Sequence, residues 1–262
     1  PLHGRLNARA QDAALAPSPP GHRRVVVATN VAESSLTVPG VRIVVDAALA
    51  RRPRLDVARG MSGLMTVGAS RSEGVQRAGR AGREGPGAVY RCCSPADWAR
   101  APQAPVPEIL SADLTRLVLE LAVWGAPDAA GLSWIDPPPA PAMEAARGAL
   151  QRLGLLEGDA GADGTAPAVT PLGRAVARIP ADVRLARALL TARGTVGARR
   201  AAEGTALLSA ELRAPGGDLT ALARSVHDDG ASASAWRAEA RRLERAAESA
   251  GRILDQARRA AG

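Results

Sequence analysis

An α/β region followed by a mainly α region is the fold class that this 262-residue sequence predicts. Short β-branched runs separated by glycine-rich turns fill residues 1 to about 93 and read as buried strands of a mainly parallel sheet. From Ser111 onward, apolar residues recur at helical spacing in an Ala-, Leu- and Arg-rich text with little strand signal. The length allows about two domains, or three if they are small. A hydrophobic share of 46% against 23% charged residues excludes wholesale disorder. Aromatic residues make up only 2%, with no Phe, so the core must be built from Ala, Leu and Val.

The elements follow in order. Residues 24–28 and 41–45 are nearly unbroken apolar runs and predict buried strands, and residues 88–92 predict another. Residues 101–107 carry three prolines and read as a linker. Leu114, Leu117, Val118 and Leu121 then sit at i, i+3, i+4 and i+7, one apolar helical face. Ser111 and Asp113 are candidate caps and Gly125 a candidate stop. Asp136-Pro137-Pro138-Pro139 breaks the chain, and residues 142–153 predict a second helix. Residues 154–170 suggest a hairpin with a loose Gly/Asp tip. Everything from Pro171 on is helical in pattern, ending after Ser232 in one exposed charged helix whose few large apolar residues are Trp236, Leu243 and Leu254. No internal repeat is visible.

Charge is unevenly placed. The chain has no Lys, so all 34 cationic side chains are Arg. Residues 1–100 hold 15 Arg against seven acids, whereas residues 101–262 hold 19 of each. The basic excess of the first part points to an anionic partner, nucleic acid or nucleotide phosphate. A high-GC genome accounts for Arg in place of Lys, but not for the clustering. The two cysteines, Cys92 and Cys93, are adjacent, too close for a disulfide framework or a zinc site, and read as small hydrophobes ending a buried strand. His3, His22 and His227 lie far apart, and no metal site is expected. No apolar stretch is long enough to span a membrane, so a membrane partner is not expected. A reducing cytoplasm fits the cysteine usage. The first residue is Pro1 rather than Met, which suggests a chain that begins inside a longer protein.

The chemistry concentrates at Gln76-Arg77-Ala78-Gly79-Arg80-Ala81-Gly82-Arg83. Spacing of i, i+3 sends successive arginines to one side of a helix or tight turn. Gly79 and Gly82 leave room for a backbone or ligand. The guanidinium fork donates bidentate hydrogen bonds to phosphoryl oxygens and stays charged. A solvated basic helix is the competing interpretation, and the fixed order of Gln, glycines and arginines argues against it. A second constellation is Ala28-Thr29-Asn30-Val31-Ala32-Glu33-Ser34-Ser35-Leu36-Thr37, where a strand delivers small polar groups at its carboxyl end. Thr29, Asn30, Ser34 and Ser35 could bond a nucleic-acid backbone or a nucleotide. They would serve equally as a capped strand-to-helix turn.

Together these segments resemble motifs V and VI of the DEAH-box superfamily 2 helicases. Pro1-Leu2-His3-Gly4-Arg5-Leu6 is similar to the segment before motif V. Residues 107–125, Trp134-Ile135-Asp136-Pro137-Pro138-Pro139 and Thr170-Pro171-Leu172-Gly173-Arg174-Ala175 resemble markers of the family's winged helix. The Ala-rich text is most similar to the bacterial HrpB-type branch. The resemblance is dense over residues 1 to about 190 and thin beyond. It implies a partial RecA-like parallel-sheet domain over residues 1–100, a winged-helix-like domain over 105–180 and a helical, ratchet-like bundle over 181–262.

The resemblance also implies an ATP-dependent RNA helicase that clamps ATP and Mg2+ between two RecA-like domains. Arg80 and Arg83 would be arginine fingers, with Gln76 also at the γ-phosphate. Ser34, Ser35, Arg77 and Gly79 would border the nucleotide, Arg77 chiefly by local pairing that supports the fold. Thr29 and Asn30 would meet the RNA backbone. Residues 49–67 would be the family's β-hairpin, with Arg51, Arg52, Arg54 and Arg59 toward nucleic acid around a turn at Ala58-Arg59-Gly60. Where the family usually has an acidic residue for the ribose, this chain has Pro39.

The sequence contains no G-x-x-x-x-G-K-[ST] and no DEAH tetrapeptide, so the phosphate loop and magnesium ligands are expected on an absent N-terminal RecA-like domain, and this chain alone is expected not to hydrolyse ATP. The region has no aromatic platform, so single-stranded RNA would be held by its backbone with little sequence preference. Residues 142–153 are only weakly basic, and the winged helix is expected to be structural rather than a sequence reader. Two alternatives stand beside this one: a non-catalytic nucleic-acid-binding scaffold, and a DNA-directed superfamily 2 helicase.

Overall fold

The predicted strands of the first part form ladders of two rather than one broad sheet. In the computed structural model of the chain, residues 1–4, 6, 8–19, 21–34, 38–56, 61–129, 131–158, 167–210, 217–228 and 230–261 are described. They divide into two compact units, residues 1–112 and 113–262. Ser35, the turn at Ala58-Arg59-Gly60, the Gly/Asp tip of the second hairpin, and the side chains of Ser34, Arg54 and His227 lie outside the described residues.

The first unit runs α1 (Ala8–Leu15), α2 (Val31–Ser34), β1 (Ile43–Asp46), β2 (Leu49–Asp56), β3 (Met61–Gly68), α3 (Arg71–Ala81), β4 (Ala88–Arg91) and α4 (Pro95–Arg100), then a 3-10 turn at Glu108–Leu110. β1 and β4 pair in parallel, Ile43 opposite Ala88 through Asp46 opposite Arg91. A parallel pair needs a crossover, and β2, β3 and α3 supply it. β2 and β3 form an antiparallel hairpin with Leu49 opposite Gly68 and Asp56 opposite Met61.

Three expectations are corrected here. Residues 24–28 form no ladder; Ala28 bridges only to Leu2, with the Leu2 amide donating to the Val27 carbonyl at 2.8 Å. Val25 and Val27 are 88% and 71% exposed, and Ile43 and Val45 on β1 are also exposed. An apolar run states that a strand can be buried, but burial depends on the layers laid over it, and no described residue covers these side chains. β4 ends at Arg91, so Cys92 lies past it and is exposed, with Cys93 half-buried. The buried interior of this unit is small and nearly half polar: Leu2, Ala50, Ala69 and Ala81 beside Asp46, Ser70 and Glu73 among the described residues.

The second unit holds α5 (Thr115–Trp124), α6 (Ala140–Arg152), β5 (Leu156–Glu157), β6 (Ala168–Val169), α7 (Pro171–Ala177), α8 (Val183–Val196), α9 (Ala198–Ser209), α10 (Leu219–Asp228) and α11 (Gly230–Ala261). Leu114, Val118 and Leu121 form the expected buried stripe, and Gly125 closes α5 in the left-handed region at φ +99°. Val118, Leu119, Leu150, Leu155, Val176, Ile179, Leu189 and Leu243 make the core. α11 is not simply an exposed charged helix: Ala233, Ala240, Leu243, Ala247 and Ala250 form a buried face of mostly small residues against α9, α8 and α7. Alanine carries little hydrophobic signal but lets helix axes approach closely.

Arginines of this unit close helix ends. Arg116 donates to the carbonyls of Ala177, the last residue of α7, and Ile179 just past it, at 2.7 and 2.9 Å, and Arg187 donates to Leu153 at 2.7 Å, just past α6. Cations are favourable at these carbonyl-rich ends. Internal use of this kind fits a neutral unit better than a polyanion-binding one.

Asp113, one residue before the N-cap Leu114, accepts from the first amide of α5, Thr115, at 2.8 Å and binds Arg184 of α8 at 2.9 Å. Burial pushes its pKa up, but the bonds from Thr115 and Arg184 outweigh that and hold it below the ordinary aspartate value. A depressed carboxylate pKa contributes stability above the unfolded value, and that contribution is lost as pH falls through the folded one. The thermal midpoint of the second unit should therefore drop as pH falls below 3.8, and Asp113→Asn should flatten that drop.

Candidate functional site

The site grows from α3. Ser70 caps the helix: its hydroxyl oxygen accepts from the Glu73 amide, and Glu73 Oε2 accepts from the Ser70 amide at 2.8 Å, a reciprocal capping box. Glu73 Oε1 accepts from Arg52 of β2. Burial pushes the Glu73 pKa up, but the Ser70 bonds and the Arg52 guanidinium outweigh this and hold it low. Next to it, Gly74 meets the Trp98 ring so closely that a Cβ would lie 2.5 Å from it. Arg91 stacks on the same ring, its guanidinium 4.1 Å from the centroid.

One turn on, Arg77 reaches inward. Its Nε donates to Glu33 Oε2 of α2 at 2.9 Å, and its Nη1 donates to Asp46 Oδ1 of β1 at 2.8 Å and to the Leu49 carbonyl of β2 at 3.0 Å. Its side chain is 14% exposed and that of Asp46 only 1%. Burial acts to lower the Arg77 pKa, and the bonds to Asp46 and Glu33 reverse this and raise it. Arg77 thus joins three elements, in keeping with pairing that supports the fold. Asp46 Oδ1 also accepts from the Ala48 amide at 2.9 Å.

Gln76, Arg80 and Arg83 differ. Gln76 and Arg80 sit four residues apart on one face of α3, and Arg83 lies past the helix end. Gln76 and Arg83 are exposed and Arg80 half-buried. None of the three side chains has a hydrogen bond or ion pair among the described residues. Beside Gly79 and Gly82 the space is open, with no atom within 4 Å of where a Cβ would stand. Just beyond, Glu84 Oε2 accepts from the Gly40 amide at 3.0 Å, tying the exposed Pro39-Gly40 turn to the end of the arginine segment.

Thr29 and Asn30 are exposed, and their carbonyls accept from Ala32 and Glu33 to start α2. The Thr29 amide donates to the Leu2 carbonyl at 3.1 Å, which explains the place of the N-terminal segment: it flanks the strand-to-helix turn. On the hairpin, Arg51 is exposed, while Arg52, grouped with it by the sequence, turns the other way toward α3. Glu33, Asp46 and Glu73 were missed by the sequence reasoning. The Ser-x-x-Glu at 70–73 was a legible signal for Glu73; Glu33 and Asp46 carried none, because their partner lies 44 and 31 residues away.

A cationic, open helix end with unpaired Gln and Arg side chains fits phosphoryl oxygens. No group of three or more His, Cys, Asp or Glu able to hold a metal occurs among the described residues.

The helicase conserved C-terminal domain family matches residues 1–85. The chain is 40% identical over 219 residues to the ATP-dependent RNA helicase HrpB of Escherichia coli K12, covering 84% of this chain and 26% of that protein. It is 36% identical over 192 residues to the pre-mRNA-splicing factor ATP-dependent RNA helicase prp22 of Schizosaccharomyces pombe, covering 73% of this chain and 16% of that protein. A crystal structure of Escherichia coli DEAH/RHA helicase HrpB superposes with a TM-score of 0.77 at 37% identity, covering 94% of this chain and 30% of that one. The chain thus spans about a quarter of the length of HrpB. With the arginine segment on α3, the strand-to-helix turn at Thr29 and this likeness in both sequence and fold, the chain belongs to the DEAH-box helicases and carries their conserved C-terminal domain at residues 1–85.

Proposed function

We propose that this chain is the finger-bearing part of an ATP-dependent RNA helicase, completed by an N-terminal RecA-like domain with the phosphate loop, the DEAH box and the Mg2+ ligands. The observation that carries this is the contrast on α3: Arg77 is tied inside the unit through Nε and Nη1, whereas the side chains of Gln76, Arg80 and Arg83 have no hydrogen bond or ion pair among the described residues. A scaffold has no need of two unpaired arginines at an open helix end. Arg80 and Arg83 donate to the γ-phosphate, with Gln76 beside them; the open space at Gly79 lets the nucleotide approach; Ser34 and Ser35 lie on its border. Thr29 and Asn30 follow the RNA backbone, and Arg51 and Arg54 of the hairpin add phosphate contacts. Residues 105–180 act as a winged-helix-like domain with a structural role, and residues 181–262 as a helical, ratchet-like bundle. The protein works in the cytoplasm, in keeping with two free cysteines; no described helix is long and apolar enough to cross a membrane.

The test is ATP turnover by this chain joined to such an N-terminal domain, with and without single-stranded RNA. Hydrolysis stimulated by RNA is expected, with none from the 262-residue chain alone. Stimulation by DNA but not RNA would favour a DNA-directed enzyme. A folded joined protein with no turnover would leave a binding scaffold.

A further inference from the structure

The hairpin runs into the finger helix through Ala69 and Ser70, and two further contacts tie its other strand, β2, to the same helix. At the base of β2, the Leu49 carbonyl accepts from Arg77 at 3.0 Å. Three residues along the same strand, Arg52 reaches Glu73, whose side chain is only 6% exposed. Three strand residues span about 10 Å, while Glu73 and Arg77 stand about 6 Å apart, one turn, along α3. The chain link at Ala69-Ser70 holds β3 alone and would let β2 swing away from the helix; the two contacts from β2 restrain that swing. The same helix carries Arg80, and its end carries Arg83. The Glu73 carboxylate is itself fixed by the capping box, so the contact ends on a rigid group rather than a floppy side chain.

We propose that Arg52 is a positioning residue which, through Glu73, couples movement of the β2–β3 hairpin to placement of the Arg80 and Arg83 fingers. It acts through Glu73 and does not touch the phosphates of either ligand. This rests on the helicase function proposed above. When the hairpin is pushed by nucleic acid, α3 moves with it. When the fingers are drawn to a nucleotide, the hairpin follows. Without Arg52, each site works and the link between them slips.

The test uses the joined helicase described above and Arg52→Ala. ATP hydrolysis in the absence of RNA and single-stranded RNA affinity, with its salt dependence, should stay close to wild type. Base pairs separated per ATP hydrolysed should fall about tenfold, the weight of one charge-assisted hydrogen bond. Arg52→Lys, which keeps the charge, should restore part of it. A merely structural role would lower the thermal midpoint without changing that ratio. An unchanged ratio overturns the proposal, and so does a loss of RNA affinity with a shallower salt slope, which would make Arg52 a phosphate contact. Amide exchange in the 262-residue chain tests the link independently of helicase activity. Arg52→Ala should speed exchange in residues 49–56, 61–68 and 70–74 and leave the second unit unchanged. Unaltered exchange would overturn the proposal even if the helicase function holds. A wild-type helicase without RNA-stimulated turnover would instead strike at the proposed function itself.

Discussion

Alanine at Arg80 should abolish ATP turnover in the joined helicase while leaving the fold intact. Arg80 is half-buried, sits in the last turn of α3 and has no hydrogen bond or ion pair within the described chain. Truncating it therefore removes no hydrogen bond or ion pair among the described residues. What it removes is a guanidinium free to neutralise charge building on a transferring phosphoryl group, an effect of about 10³-fold or more in rate. Arg80→Lys should recover little, because a compact ammonium cannot reproduce the planar fork. Steady-state hydrolysis beside thermal denaturation of the same samples separates the two effects. An Arg80→Ala enzyme with wild-type turnover would dismiss it as a finger. An Arg80→Ala protein that unfolds would show that its side chain has a structural partner.

Arg77→Ala should do the reverse: it should damage stability first. The guanidinium is the common partner of Glu33 and Asp46, and the Asp46 side chain is only 1% exposed. Removing one member of a buried ion pair strands the other's charge away from water, at a cost of about 3–5 kcal/mol. The loss is severe here because the buried interior of the first unit is small, with few large apolar side chains to offset it. Three connections go at once: α2, the end of β1 and the base of β2. Denaturant unfolding of the 262-residue chain, followed at residues of the first unit, reads the effect. A loss below about 1 kcal/mol, as for an exposed surface pair, would mean that the network is solvated and not a structural tie. Together the two alanine variants divide a set of equally spaced arginines into one that builds the site and one that would use it.

The spacing of Gln76, Arg77, Arg80 and Arg83 was in the text, and so was its likeness to a helicase motif, because a functional motif is a local order of residues. Helical stretches were equally legible, since their hydrogen bonds close within four residues: the stripe Leu114, Val118, Leu121 and the stop at Gly125 are where the pattern put them. The partition of the arginines was not legible. Arg77 and Arg80 are one helical turn apart and chemically identical, and only the arrival of Glu33 and Asp46 from distant segments engages one and leaves the other unpaired. Likewise Arg51 and Arg52 are neighbours in sequence, and the pleat of β2, with α3 packed on one side, sends the second to Glu73. Burial of the apolar runs at 24–28 and 41–45 was misjudged for the same reason. Hydrophobicity and spacing are properties the sequence carries along its length, and they determined the elements and the family. Which polar groups find partners, and which faces lose their water, depends on contacts between residues far apart in the chain, and only the tertiary structure decides them.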